Sequence, residues 1–369
     1  MIAKRFLLLN GIAIINVVLN HSIGWAFVAM FWWVHRYSPM SSPNFSQIYS
    51  PSYFILRFLE QWIIPSIPAF LMVSGYIVAF SAGKQKKVEW NFVLSRIKYL
   101  VIPYLFWSIL MIIYNILQGE RYSPIQLGRI FLTGQATEAY YFVPLLVTLY
   151  ALSPFLIRLV NWNWKITLWL SAIIQIAIKA VDYPVTLGIQ TTLNHFFSLL
   201  NSGWFFAGHI FWFLFGIVLG IRVQETKNYL KKIRWPLLLI AGILFLLGMV
   251  EWEFLLVQSG QQWLSPHETL VDNLFSACIL FSFIGFIDLK LPLEKHLENL
   301  GTKTYGIYLS HSIILIIVAR IIYHFLPQLL IVPVFFCIVL LGFGLAIPLI
   351  LMGITRNSIL KSIYPYIFG

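Results

Sequence analysis

The sequence predicts an all-α fold, a polytopic transmembrane helical bundle of about ten spans, and three observations predict it. Of 369 residues, 60% are hydrophobic and only 10% charged, against roughly 25% charged in an ordinary soluble domain. The apolar residues gather into runs long enough to cross a bilayer, for which about 20 residues suffice. The basic residues fall mostly on alternate connections between those runs. A soluble core of this size would leave apolar surface facing water, whereas lipid is itself apolar. The 17 prolines and 22 glycines are tolerated in membrane helices where neighbours satisfy the freed backbone groups.

Taken in order, the predicted spans run over about 6–28, 60–80, 99–117, 140–159, 165–181, 203–221, 235–255, 270–288, 304–324 and 329–352, with ends placed to within several residues. Lys4 and Arg5 precede the first run as in a signal peptide, but it continues through Ile23 and Trp25 to Trp33 without a small-residue cleavage site. It reads as an uncleaved span. Glu60 and Gln61 open the second run, the fifth is short, and the seventh carries Glu251 near its end. Cys278 and Cys337 lie inside apolar runs and read as small buried hydrophobes, not as a disulfide framework. Polar segments near 34–55, 81–98, 118–138, 183–202, 222–234 and 256–269 connect the runs, and residues 1–369 read as a single membrane domain.

Threading ten spans from a cytoplasmic N-terminus puts 19 of the 25 basic residues on the cytoplasmic side. Arg36, Arg57, Arg121, Arg129, Lys179 and Arg320 are the six on the other side or within spans. This asymmetry is what the positive-inside rule describes, and it makes both termini cytoplasmic. The net charge of +12 then faces anionic membrane lipids. Dispersal of the basic residues over several loops argues against nucleic acid as a partner. Tryptophans near the run ends, among them Trp33, Trp62, Trp162, Trp164, Trp235 and Trp252, fit an aromatic belt.

Polar groups inside spans are costly and each is a functional candidate. The first span reads NGIAIINVVLNHS from Asn10 to Ser22. Asn10 and His21 are eleven residues apart, about three turns and roughly 16 Å along one face. Asn20 adjoins His21, and Asn16 lies one turn below Asn20. Two readings stand: hydrogen-bonding glue between helices, or a cavity-facing imidazole acting as general base. His311 in the ninth span and His209 in the sixth are, singly, expected to be packing histidines. Glu60 is expected to be an interfacial or ion-paired residue rather than a catalytic acid. Glu138, Asp182, Glu251, Glu253, Asp272, His267 and Glu268 belong to the outer side, as solvated loop residues or as lining of an acceptor site. No P-loop, HExxH, GxSxG or CxxC pattern occurs, and the histidine spacing predicts no metal site.

Six segments in order resemble the acyltransferase 3 family of multi-span membrane acyltransferases. They are GIAIINVVLNHS, PAFLMVSGYIVAF with Ser74, SRIKYLVIPYLFWSIL with Arg96 and Lys98, YYFVPLLVTLYALSPFL, FWFLFGIVLG, and LGTKTYGIYLSHSIIL with Tyr305, Tyr308 and His311. The resemblance covers nearly the whole chain. That family carries a basic residue, ten intervening residues and a His in its first helix. The His falls on His21, while the basic position falls on Asn10, a departure from the pattern.

The resemblance implies transfer of an acyl group, usually acetyl, from cytoplasmic acyl-CoA to a hydroxyl of a sugar or lipid-linked glycan. It implies His21 as base with Asn20 next to it and Asn10 at the family's basic position, Arg96 and Lys98 as contacts of the CoA phosphates, and Tyr305, Tyr308, His311, Ser74 and Glu60 as cavity residues for the acceptor. No metal is implied, and the expected location is a bacterial plasma membrane. Two other readings stay open: a transporter or flippase of a lipid or glycan precursor, and a catalytically inactive relative, which Asn10 motivates.

Overall fold

A computed structural model describes residues 2–83, 87–189, 200, 202–264 and 268–369. In chain order the helices are α1 (Ile2–Phe31), α2 (Pro51–Ile63), α3 (Ser66–Ala82), α4 (Trp90–Leu117), α5 (Pro124–Thr133), α6 (Phe142–Ala180) and α7 (Asp182–Thr186). They continue with α8 (Ile210–Ile221), α9 (Val223–Ser259), α10 (Leu270–Gly285), α11 (Glu294–Gly301), α12 (Thr304–Phe325), α13 (Pro333–Asn357) and α14 (Tyr364–Ile367). Among the described residues there is no strand. The protein is an all-α integral membrane protein.

Among the described residues, seven helical stretches are long and apolar enough to cross a bilayer: Ala3–Phe31, Pro51–Ala82, Trp90–Leu117, Phe142–Thr186, Val223–Ser259, Thr304–Phe325 and Pro333–Asn357. α8 and α10 are shorter apolar helices. α6 is two helices joined at Asn163, whose φ of −155° and ψ of 97° leave the helical region. The Asn163 Oδ1 accepts from the Lys165 and Ile166 N–H groups, so it caps the second half. Split there, the helices fall on the ten apolar runs of the sequence.

The helices also extend beyond those runs. α9 begins at Val223 although 222–234 reads as a polar connection. Its Gln, Glu, Lys and Arg residues are good helix formers, so the charged segment continues the helix beyond its apolar part. In the same way α5 forms inside the polar segment 118–138. Ser123 caps it in a reciprocal pair with Gln126, and Gly134 closes it at φ 75°.

The chain divides into two compact units, Met1–Phe6 with Ile67–Pro292, and Leu7–Ser66 with Leu293–Gly369. Each contains a close helix crossing made by glycine. In the first, a Cβ at Gly75 of α3 would lie 2.0 Å from the Phe213 carbonyl oxygen, and one at Gly216 of α8 2.0 Å from that of Met72. Gly220, one turn on, faces Ala79. In the second, a Cβ at Gly11 of α1 would lie 2.1 Å from the Leu297 carbonyl oxygen, and one at Gly301 of α11 1.9 Å from that of Leu7. Such small-residue contacts let backbones approach where lipid supplies no hydrophobic drive between helices.

Candidate functional site

The second unit brings the late tyrosines and two histidines into one row. Tyr305, Tyr308 and His311 are three residues apart on α12, so they share a helix face. The Tyr305 and Tyr308 rings stack 6.3 Å apart, and Tyr308 and His311 lie 6.0 Å apart. His311 then meets His21 of α1, ring centroids 5.2 Å apart and tilted by 43°. Gly344 of α13 packs on Val18 and Leu315, closing α1, α12 and α13 together beside this row.

His311 is fully buried. Its Nδ1 lies 2.6 Å from the Tyr308 carbonyl oxygen and 3.2 Å from that of Ile307. Both are acceptors, so Nδ1 must carry the proton and donate. In the neutral ring Nε2 is then an acceptor, with the Ser312 Oγ 3.4 Å away. His21 is partly buried, Asn20 is exposed, and a Cβ at Gly24 would meet nothing within 4 Å. Open space therefore borders the His21 turn. Asn10 is partly buried, and its Oδ1 has no hydrogen-bond partner among the described residues.

Other expected site residues sit elsewhere. Glu60 is buried on α2 and takes an ion pair from Arg57. Ser74 and Arg96 belong to the first unit and meet at Tyr150, Ser74 by a hydrogen bond and Arg96 through its charge. Arg96 is exposed, its guanidinium 5.3 Å over the Phe92 ring, and Lys98 is exposed on the same helix. Among the described residues no group of three or more His, Cys, Asp or Glu could hold a metal.

The sequence reading missed an ion-paired cluster in the first unit. Lys179, near the end of α6, lies 3.2 Å from Glu268, and His209 Nδ1 lies 4.0 Å from the same carboxylate. Burial pushes the Glu268 carboxyl up, but the Lys179 and His209 charges outweigh it and hold its pKa below the usual value. A signal was available: a lysine inside an apolar run needs a partner. Among the outer-side candidates, Glu251 accepts from the Tyr183 hydroxyl and Asp272 shares a capping box with Thr269. His267 and the Asp182 side chain lie outside the described residues.

With this geometry in view, comparison with known proteins gives the class. Residues 8–351 match the acyltransferase 3 family, described as an acyltransferase domain. The chain belongs to that family. Relatives in Staphylococcus aureus strains MRSA252, MSSA476 and N315 are each 24% identical over 270 residues, covering 71% of this chain and 72% of the relative. Each is named a probable poly-beta-1,6-N-acetyl-D-glucosamine export protein. No solved structure matches the chain.

Proposed function

We propose that this protein transfers an acyl group, acetyl first among the candidates, from cytoplasmic acyl-CoA to a hydroxyl of a sugar or lipid-linked glycan, with His21 as general base. The observation that carries the reading is the pairing of His21 with a second, backbone-oriented imidazole in a chain of the acyltransferase family. The family match runs through both compact units.

The chemistry follows from the groups. His21 takes the proton of the acceptor hydroxyl as its oxygen attacks the thioester carbonyl. The new C–O bond gives a tetrahedral oxyanion, for which the Asn20 or Asn16 side-chain amide is a donor on the same helix. Collapse breaks the C–S bond, and the leaving thiolate regains the proton from the His21 imidazolium. The neutral His311 ring, 5.2 Å from the His21 ring, packs beside that imidazolium. Arg96 and Lys98 offer charge for the CoA phosphates. The protein acts in a bacterial plasma membrane with both termini cytoplasmic.

Purified protein in nanodiscs is expected to release CoA from acetyl-CoA when a glycan acceptor is added. His21→Ala is expected to abolish this, and full activity in that variant rejects the assignment. The name carried by the relatives favours a second reading, export of a β-1,6-linked N-acetylglucosamine polymer. Movement of labelled glycan across the membrane without consumption of acyl-CoA is the outcome that selects it.

A further inference from the structure

The N-terminus of α4 and the middle of α6 form a cleft of about 340 Å³ in the first unit. That volume falls within the range of small-molecule sites, roughly 300–1,000 Å³. Its apolar floor is Val88 and Ile157, both buried, with Pro154 beside them. Pro154 has no N–H to give to α6, and the Tyr150 carbonyl instead accepts from the Ser153 hydroxyl at 2.7 Å. Lys87 and Arg158 reach the cleft from its two walls, with Glu89 and Asn91 at its edge. Trp90 is 61% exposed there, a large ring held at a polar mouth.

We propose that this cleft, through Lys87, Arg158, Trp90 and Asn91, takes the adenosine 3′-phosphate end of the acyl-CoA donor. This rests on the acyl-CoA reading above. Two cations from separate elements suit a phosphate, and Arg158 adds a planar fork. An indole face is a platform for a purine, whose stacking is sequence-tolerant and strong. Glu89 and Asn91 distinguish the site from a plain anion trap. A carboxylate repels a simple phosphate but accepts from an exocyclic amine or ribose hydroxyl, and the Asn91 amide both donates and accepts. A nucleotide has all of these groups, whereas a phosphatidylglycerol headgroup has no purine for Trp90.

The test is a titration of full-length protein in zwitterionic nanodiscs with adenosine 3′,5′-bisphosphate. Saturable binding is expected. Lys87→Ala with Arg158→Ala is expected to weaken it about 10- to 100-fold, the range for lost hydrogen bonds to charged groups. Trp90→Ala is expected to weaken it about tenfold or more, as for a lost stacking contact. Lys87→Arg with Arg158→Lys keeps both charges and should retain most of the binding, which separates charge loss from misfolding. In transfer assays the preference for acetyl-CoA over acetyl-pantetheine, which lacks the nucleotide, should collapse toward unity in the double alanine variant. No binding by wild type, or unchanged affinity in that variant, overturns the site. Displacement of the bisphosphate by phosphatidylglycerol from wild type but not from the variant reassigns the cleft to lipid and also overturns it. The two levels fail differently. A wrong acyltransferase reading leaves bisphosphate binding intact with no transfer from either donor, whereas a wrong site leaves transfer intact and the variants without effect.

Discussion

His311 and His209 are both buried histidines in apolar runs, yet their surroundings differ in kind. His311 contacts rings and backbone carbonyls: Tyr308, the Ile307 and Tyr308 carbonyl oxygens, and the His21 imidazole. His209 lies beside a carboxylate already held by a lysine. The carbonyls orient the imidazole and fix its tautomer, and the rings bring no formal charge beside it. A Lys–Glu pair fixes the charges around it and suits the joining of helices. The proposed base, His21, belongs to the first environment through its ring contact with His311.

That contrast breaks or holds on a paired substitution. His21→Gln is expected to lower acyl transfer by about 10²- to 10⁴-fold, the usual contribution of a general base. His209→Gln is expected to lower it less than tenfold and to act mainly on stability, read as thermal unfolding in detergent. Equal losses of transfer would remove the distinction between the two sites. His311→Gln should fall between them. It keeps a hydrogen-bonding side chain but removes the ring packed 5.2 Å from that of His21, so kcat should drop with little change in either KM. A rise in both KM values instead would make His311 a packing residue.

The ion-paired cluster sharpens the comparison through stability. Lys179→Met leaves the Glu268 carboxylate without its 3.2 Å partner. Breaking one side of a buried pair costs about 3–5 kcal/mol, an upper bound here because the Glu268 side chain is 22% exposed. Lys179→Met with Glu268→Gln should recover much of that, because no charge is then left alone. A double variant no better than the single would mean that the pair is not the source of the loss.

Much of the fold was legible because its signal is local. Each apolar run gave a helix, and the Trp162–Asn163–Trp164 turn separates the fourth and fifth runs where a polar residue interrupts them. Asn163 has a short side chain that caps the helix after it, so the interruption can be read one residue at a time. The 222–234 extension was not legible, because charge predicts solvent exposure and says little about whether a solvated segment is helical. In the site, the three-residue spacing of Tyr305, Tyr308 and His311 puts them on one face, but nothing local says that the face meets His21. Lys179 and Glu268 are 89 residues apart, and their pairing depends on how α6 and the segment before α10 come together. The close approach of Gly75 and Gly216 was not legible, because a helix crossing is a property of two segments.

Those crossings give a smaller and more general effect. A Cβ at Gly75 or Gly301 would sit about 2 Å from a backbone oxygen, and a backbone cannot swing aside as a side chain can. Gly75→Ala and Gly301→Ala are each expected to destabilise their own unit by about 1–3 kcal/mol, the usual cost of overpacking. Gly242, with nothing within 4 Å, is the matched control in an exposed helix face. Gly242→Ala should be neutral or stabilising by up to about 1 kcal/mol, from helix propensity. A loss at Gly242 equal to that at Gly75 would show that glycine matters here for flexibility and not for close approach.

The smallest effect is in pH. The Glu268 carboxyl titrates below its ordinary value of about 4.3. A carboxyl whose pKa is depressed by folding contributes stability that is fully present above the unfolded value and is lost as pH falls through the folded one. Thermal unfolding in detergent should therefore be flat around Glu268 from pH 7 to about 5 and decline below about 4. The decline should be shallow, because the burial that raises this pKa opposes the Lys179 charge that lowers it. Glu268→Gln has no such proton to gain, so the difference between wild type and variant should shrink as the solution is acidified. If that difference instead grows toward low pH, the carboxylate is stabilised more in the unfolded chain than beside Lys179. The cluster would then be a strained arrangement and not a clamp between helices.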